Sequence, residues 1–261
     1  MTDVIRKLKC NLIQKKKRIV TALDKLTNYN NFVDEVFVIS FPKSGRTWLR
    51  LMLEELDIKL SFTHAKSGHF FNTISYDVTM YIDRKVIFLV RDPRDVVVSG
   101  YFQLTKRNKK YDDRYDGGIS DFIRDEKDGI RKVVAFYNPW NEHKDATKDF
   151  FMLKYEDMHL NTILQLENVL KFLSIDNIDN QIVAKAVDSC CFEKMHKLEK
   201  QGHYNKKYRE ILTPSNNNDP ESFKTRKGKV GGYIDYLEES DINYCNSIMR
   251  EMKCPWYCDT L

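Results

Sequence analysis

Paired metal-binding motifs and a disulfide framework are missing from this sequence. Its six cysteines include no paired CxxC motif, and Cys254-x3-Cys258 alone is only a weak zinc signal. No apolar run approaches the ~20 residues of a membrane-spanning helix, and no hydrophobic signal-peptide segment opens the chain. These absences argue against a secreted disulfide-rich protein and against a transmembrane protein, and they favour free thiols in a reducing compartment. We therefore expect a cytoplasmic protein.

A large excess of one charge is missing as well. The 43 lysines and arginines stand against 38 acidic residues, which leaves a formal net charge of +5 at pH 7. This excess suits an anionic small molecule as well as a polyanion, and it does not indicate nucleic acid without a concentrated basic face. We expect no nucleic-acid partner.

The first 31 residues concentrate lysine and arginine around a thin apolar stripe with helical spacing. Such a basic amphipathic helix can cover part of its own domain, or it can lie on a membrane surface or a partner. The length of 261 residues is enough for one full core. We expect a basic helical segment at residues 1–31 and one α/β domain at residues 32–261. Peripheral membrane contact through the segment and the oligomeric state are left open.

Three apolar runs predict buried β-strands at residues 35–40, 85–90 and 149–155. Helical patterns follow these runs, and Asp92 and Asn161 are suitable N-caps for two of them. Strands that alternate with helices predict a doubly wound parallel sheet flanked by helices. Ligands bind such sheets beyond the carboxyl ends of the strands. The loops that should converge there are residues 42–46, 91–95 and 155–158.

The loop after the first of these strands has the character of an anion site. It reads Phe41-Pro-Lys-Ser-Gly-Arg-Thr-Trp48 and leads into a helix with one apolar face. A tight loop before a helix N-terminus points free N–H groups at one spot, which favours phosphate or sulfate beside a lysine. It is not a Walker A motif, because Lys43 precedes the only glycine, Gly45, and Arg46 occupies the place of the Walker lysine. Thr47 keeps the Ser/Thr position of that motif.

Three separated motifs together resemble the sulfotransferases that use 3′-phosphoadenosine 5′-phosphosulfate (PAPS). The segment 42–48 resembles their 5′-phosphosulfate loop, and the segment 91–99 resembles their 3′-phosphate motif, with an arginine and a serine eight positions apart. Arg226-Lys-Gly-Lys-Val-Gly231 is similar to their Arg-Lys-Gly-x-x-Gly signature. Weaker matches lie at residues 155–158 and 191–195, so that the resemblance covers residues 35–235.

The resemblance implies a P-loop-NTPase-like fold and transfer of a sulfuryl group from PAPS to an acceptor hydroxyl or amine. The product nucleotide is then 3′-phosphoadenosine 5′-phosphate (PAP), and no metal is required. Arg91, Ser99 and Arg226 correspond to the residues that hold the 3′-phosphate, which needs cationic forks and hydroxyl donors. The nucleotide-binding residues that the resemblance implies are Lys43, Ser44, Gly45, Arg46, Thr47, Trp48, Arg91, Ser99, Tyr155, Phe192, Arg226, Lys227 and Gly228.

Two residues are implied in the chemical step. Lys43 can stabilise the charge that grows on the oxygen joining sulfur to the 5′-phosphate. A base must remove the acceptor proton, and histidine is the natural candidate. The family's histidine stands in a Thr-His pair after a strand, which His64 matches, whereas His69 lies nearer the family's distance from the arginine motif. We prefer His64 and keep His69 as the alternative.

The sequence departs from the family pattern at three places. Many cytosolic members carry a lysine two residues before the histidine, where this chain has Phe62, so that a second cation on the leaving group is in doubt. Lys43 or Arg46 could compensate for it. The family's Gly-Asp-Trp becomes Gly-Gly-Tyr at residues 231–233. The C-terminal segment that forms dimers in many members is not recognisable.

The acceptor is not specified by these motifs and is expected to be a small molecule or a glycan. Residues 103–120 and 201–226 are long polar segments, which can be binding loops or tolerated insertions. Several aromatic residues can line an acceptor pocket or belong to the core. They are Phe70, Phe71, Tyr76, Tyr101 and Phe102.

Two other functions stay open on the residues alone. A P-loop kinase would need magnesium and a Walker lysine, which this loop lacks at the expected position. A non-catalytic nucleotide-binding protein would bind PAP without consuming PAPS. The candidate base near the anion loop favours an enzyme.

Overall fold

The computed structural model describes residues 31–65, 78–107, 115–176, 178–205 and 212–258. Several expectations fall outside these ranges and stay predictions. They are the basic helix within residues 1–30, the alternative base His69, and the aromatic residues Phe70, Phe71 and Tyr76. The division of the chain at residues 31 and 32 also stays a prediction.

A four-stranded parallel sheet forms the centre of the fold. Its strands are β1 (Asn31–Ser40), β2 (Ile58–Thr63), β3 (Lys85–Val90) and β4 (Asp149–Lys154), in the order β2-β1-β3-β4. All three pairings are parallel, which confirms the predicted sheet. The first strand begins earlier than its apolar run predicted, because Asn31 and Phe32 pair with Ile58 and Lys59 of β2 before the register is interrupted ahead of Phe37.

The register places β1 at the switch point of the sheet. Val38 of β1 pairs with Phe62 of β2 on one side and with Ile87 of β3 on the other. On its far side, Ile87 pairs with Phe151 of β4. The chain leaves β1 toward β2 in one direction and returns to β3 in the other, so that the crevice beyond the carboxyl end of β1 is the expected ligand site.

Helices cover both faces of this sheet. Short 3₁₀ turns at Val78–Tyr81, Lys144–Ala146, His203–Asn205, Pro220–Ser222 and Gly232–Asp235 join them. The helices are α1 (Arg46–Glu55), α2 (Pro93–Phe102), α3 (Ile119–Arg124), α4 (Ile130–Glu142), α5 (Tyr155–Leu160), α6 (Thr162–Phe172), α7 (Asn180–Ser189), α8 (Phe192–Lys200) and α9 (Glu239–Glu251).

Two of the helices begin at the caps that the sequence predicts. The Asp92 carboxylate accepts a 2.8 Å hydrogen bond from the backbone N–H of Arg94, and proline follows Asp92 directly. The Asn161 side chain accepts from the backbone N–H of Leu164 at 3.1 Å. Both bonds satisfy N–H groups that have no partner inside the first helical turn.

The end of α2 differs from the sequence expectation of a polar loop from residue 103. Gln103–Arg107 continues the helix as a π-helical turn. Leu104 is buried within this turn, and its packing in the core favours a continued helix over a surface loop.

The core has two halves, one on each face of the sheet, and β3 contributes to both. Val86, Phe88 and Val90 point into the half beneath α2, α4 and α9. Ile87 and Leu89 point into the other half, beneath α1, α6 and α7. Side chains alternate between faces along a strand, so a strand buried on both faces is a continuous apolar run. This geometry is the physical reason why the run at residues 85–90 was recognisable.

Within the ranges described above, no helix is both long enough and apolar enough to cross a lipid bilayer.

The glycine that precedes α1 allows a direct test of the packing at the end of β1. Gly45 has a φ of 98°, and a Cβ atom on it would lie 2.6 Å from Cδ2 of Tyr155. Gly231 also has a positive φ, 68°, but a Cβ there would meet nothing within 4 Å among the described residues. We expect Gly231→Ala to lower the free energy of unfolding by about 1–2 kcal/mol, the cost of a left-handed residue.

Gly45→Ala should cost more, because the Tyr155 ring must also move. Urea unfolding of both variants measures the two losses. Equal losses would show that the contact between residues 45 and 155 imposes no constraint.

Candidate active site

A cavity of about 590 Å³ opens beyond the carboxyl end of β1. All of the nucleotide-binding and catalytic residues expected from the sequence line it, except Ser44. The Ser44 side chain is fully buried beneath the loop instead. The expected residues on the wall are Lys43, Gly45, Arg46, Thr47, Trp48, His64, Arg91, Ser99, Tyr155, Phe192, Arg226, Lys227 and Gly228.

Two of the aromatic candidates for an acceptor pocket belong to the core. Phe102 is buried and Tyr101 packs against the same cluster, with ring centroids 5.7 Å from Phe122. Neither lines the cavity.

Lys43 lies in the tight loop between β1 and α1. Its backbone has a positive φ of 75°, and its ammonium donates a 3.0 Å hydrogen bond to Oε1 of Gln103. Burial lowers the pKa of Lys43 well below its usual value, and the neighbouring charges of Arg107 and Lys224 lower it further. An anion in the cavity would reverse this effect, because it stabilises the protonated ammonium.

His64 follows directly after β2, and one ring nitrogen is fixed by the neighbouring strand. Nδ1 lies 2.8 Å from the carbonyl oxygen of Ser40. A carbonyl can only accept, so the hydrogen-bonded Nδ1 carries the proton. In the neutral imidazole Nε2 then holds the lone pair, and this tautomer is the one required of a base on the cavity side.

Arg91 lies between the loop and the late Arg-Lys-Gly segment. Its Nη1 donates to the carbonyl of Lys43 at 3.4 Å, and its Nη2 donates to the carbonyl of Lys229 at 3.1 Å. The guanidinium also lies 4.3 Å above the ring of Tyr155. Ser99 lies within α2, which begins two residues after Arg91, and lines the same cavity.

Asp95 is a residue of the cavity wall that the sequence analysis did not identify. Its carboxylate lies 3.2 Å from Nη2 of Arg91 and is 2 % exposed. It also accepts the backbone N–H groups of Gly231 and Tyr233, each at 2.9 Å. Asp95 therefore holds the second motif against the third. Its place one helical turn after Arg91 was the available signal.

Arg226 and Lys227 project from the third motif and are held by acidic partners. Arg226 Nη1 lies 3.0 Å from a carboxylate oxygen of Glu221, and its guanidinium stacks 4.4 Å from the Phe102 ring. Lys227 pairs with Asp235 at 3.1 Å. These contacts keep the cationic groups ordered on the cavity wall.

Aromatic residues form a second part of the wall. Trp48 Nε1 donates to the carbonyl of Cys190 at 3.0 Å, and the Trp48 ring meets Tyr155 at 5.8 Å and 65°. Phe192 is 36 % exposed, and its ring stacks on that of His196 with 5.8 Å between the centroids. Trp48 thus has a packing role and also faces the cavity.

Two further cations line the cavity that the sequence analysis did not assign. Arg107 ends the π-helical turn, and Lys224 lies two residues before Arg226. The buried carboxylate of Glu199 lies 3.7 Å from Arg107 and accepts the backbone N–H of Lys224 at 2.7 Å. The spacing of Lys224 to the Arg-Lys-Gly motif was the only sequence signal for this group.

The described residues contain no cluster of three or more His, Cys, Asp or Glu side chains suited to a metal ion.

Comparison with known families matches residues 78–254 to the family described as Sulfotransferase domain. Human Sulfotransferase 4A1 is 32 % identical over 116 residues, which are 42 % of this chain and 40 % of that protein. The chain therefore spans less than half the length of that relative. Cytosolic sulfotransferase 17 of Arabidopsis thaliana is 22 % identical over 84 % of this chain and 74 % of its own length.

A solved structure has the same fold. The crystal structure of mouse sulfotransferase SULT7A1 complexed with PAP superposes with a TM-score of 0.60 at 21 % identity, over 84 % of each chain. This likeness confirms the predicted α/β architecture. Because the family match covers more than half of the sequence, the chain belongs to the sulfotransferase domain family.

Proposed function

We propose that this protein transfers the sulfuryl group of PAPS to a hydroxyl or amine of an acceptor and releases PAP. The observation that carries the proposal is the meeting of three cationic motifs and one histidine at a single cavity. The motifs are the loop at 42–48, the Arg91–Ser99 segment and the Arg226–Gly228 segment.

The hydrogen-bond donors of the cavity fit a nucleotide that carries phosphate groups on both the 3′ and the 5′ oxygen of its ribose. Arg46 Nη1 is buried and has no hydrogen-bond partner among the described residues. Such a guanidinium group is stabilised by an anion beside it. Arg91 and Arg226 supply further cations, and their guanidinium groups lie 4.3 and 4.4 Å from the rings of Tyr155 and Phe102. When bound, PAPS supplies an activated sulfuryl group.

Lys43 has the role of stabilising the leaving 5′-phosphate. Its ammonium, the loop N–H groups and the N-terminus of α1 lie together at the carboxyl end of β1. Fixed donors in a buried site stabilise developing negative charge without reorganisation. The lowered pKa of Lys43 supports this role, because a bound anion keeps the ammonium protonated.

His64 has the role of the base. Its Nδ1 is held by the Ser40 carbonyl, so that Nε2 accepts the acceptor's proton while the ring stays oriented. Ser40 is the last residue of β1, which ties the base to the strand that carries the loop.

The remaining site residues hold the nucleotide. Arg91, Ser99 and Arg226 bind the 3′-phosphate, and Lys227 with the Gly228 backbone adds donors. Trp48, Tyr155 and Phe192 face the adenine, as their shared wall supports. The loop residues Ser44, Gly45 and Thr47 contribute backbone or hydroxyl donors to the 5′-phosphosulfate.

We place the protein in the cytoplasm, as the designation of the Arabidopsis relative suggests. Its acceptor belongs to the small molecules or glycans.

The chemical roles can be tested with His64→Ala and Lys43→Ala. A screen of phenols, alcohols, amines and sugars with labelled PAPS and a chelator first identifies an acceptor. Loss of the base should lower kcat by about 10²–10⁴-fold. Loss of the leaving-group cation should lower kcat by about 10²–10³-fold.

The control for this experiment is His143→Ala, an exposed histidine away from the cavity. It should keep full turnover. PAP binding by calorimetry should persist in His64→Ala, which separates a lost base from a lost fold. Full turnover by His64→Ala would move the base elsewhere, and turnover with ATP instead of PAPS would indicate a kinase.

The clamp on the 3′-phosphate can be tested with Arg91→Ala. We expect the wild-type protein to bind PAP more tightly than adenosine 5′-phosphate, because only PAP carries the 3′-phosphate. Arg91→Ala should lose about tenfold or more in PAP affinity, the value of one charge-assisted contact, and little for adenosine 5′-phosphate. Calorimetric titrations with both nucleotides measure the difference.

Arg131→Ala is the matched control, because Arg131 pairs with Glu251 on the surface. If Arg91→Ala lowers the affinity for both nucleotides equally, Arg91 supports the loop at 42–48 and does not bind the 3′-phosphate.

A further inference from the structure

Lys224 is held in the cavity wall by its backbone. Its N–H donates to Oε1 of Glu199 at 2.7 Å, and Thr225 donates its N–H and its hydroxyl to Oε2 at 2.9 and 2.6 Å. Glu199 is fully buried, so these bonds form in a low-dielectric setting where they are strong. The position from which the Lys224 side chain extends is therefore fixed.

The charge of Glu199 is already shared. Its carboxylate accepts the three bonds from residues 224 and 225 and lies 3.7 Å from Arg107. Of the carboxylates in the described ranges, none forms an ion pair with Nζ of Lys224. The Lys224 ammonium thus lines the cavity without an acidic partner of its own.

Arg46 is a second cation in the same condition. It begins α1, directly after the anion loop, and its Nη1 is buried without a hydrogen-bond partner among the described residues. Arg46 and Lys224 interact electrostatically. Buried like charges are costly, and an anion between them lowers that cost.

The position of the missing family lysine is connected to this pair through Arg50. Phe62 occupies it, and the guanidinium of Arg50 lies 4.4 Å above the Phe62 ring. Arg50 also belongs to the charges that act on both Arg46 and Lys224. A ring therefore stands where many members of the family have a cation, and Arg50 connects that position with Arg46 and Lys224.

We infer that Lys224, together with Arg46, contacts the phosphosulfate end of PAPS and supplies the second leaving-group cation that the Phe62 position lacks. This inference rests on the proposed sulfuryl transfer. In that reaction the acceptor oxygen or nitrogen forms a bond to sulfur, and the bond from sulfur to the bridging oxygen breaks. The bridging oxygen leaves with the electron pair on the 5′-phosphate of PAP, and the acceptor proton goes to His64. Lys224 stabilises the charge on that phosphate.

The protonation state of Lys224 makes this role measurable. Burial lowers its pKa to about 7, with Arg107 and Arg46 as the next causes. A bound anion raises the pKa, so that nucleotide binding at about pH 8 takes up a proton. The charged groups that act on Lys224 are Arg107, Arg46, Glu199, Arg50 and Lys43.

The experiment compares Lys224→Met and Lys224→Arg with the wild-type protein by calorimetry. PAP carries a 5′-phosphate, whereas adenosine 3′-phosphate lacks it. Lys224→Met should lower the affinity for PAP by about tenfold or more and leave the affinity for adenosine 3′-phosphate unchanged. Lys224→Arg should restore PAP binding. It should also take up fewer protons than the wild type at about pH 8, because arginine is already charged in the free protein.

Lys171→Met, an exposed lysine on α6, is the control and should match the wild type in both titrations. Turnover with PAPS should fall in Lys224→Met for neutral and acidic acceptors alike. Unchanged PAP affinity in Lys224→Met, or a loss confined to acidic acceptors, would overturn the inference and assign Lys224 to the acceptor side. Absence of sulfuryl transfer by the wild type would instead refute the proposed function. The titrations with PAP and adenosine 3′-phosphate would still show whether Lys224 contacts the 5′-phosphate.

Discussion

Asp95 binds the Arg91 guanidinium and two backbone N–H groups of the segment at 231–233 from a buried position on α2. This carboxylate brings the second cationic motif to the third, although Gly231 lies 136 residues further along the chain. A buried carboxylate needs several donors to offset its desolvation, and the donors here come from two separate motifs of the site. In the proposed mechanism, the residues that bind the nucleotide are therefore positioned by Asp95, which does not itself contact the nucleotide.

The cavity concentrates positive charge far beyond what the net charge of +5 indicates. Arg91 and Arg226 each have a carboxylate partner, and Arg107 shares Glu199 with the backbone at residues 224 and 225. These acidic residues hold their cationic partners in place. In the part of the chain that the structure describes, no carboxylate forms an ion pair with Arg46 or Lys224. The cavity wall therefore combines cations that have acidic partners with two that do not, and the proposal assigns these two to the phosphosulfate.

Much of the architecture could be predicted because it follows from local patterns. The run at 85–90 is apolar because both of its faces are buried, and Asp92 and Asn161 are caps because a helix start leaves N–H groups without partners. The early start of β1 and the continued helix after Phe102 could not be predicted in this way. Each depends on contacts with neighbouring elements that override local preference.

The sequence by itself determined the alternation of three of the four strands with helices, the anion character of the loop at 42–48 and the residue types of the three motifs. These depend on the spacing of residues within one short segment. Only the tertiary structure decided that Glu199 would position Lys224, that Asp95 would join Arg91 to residue 231, and that Ser40 would fix the His64 tautomer. Such contacts form between distant segments that the parallel sheet brings to the carboxyl end of β1, and no local pattern specifies which side chains meet there.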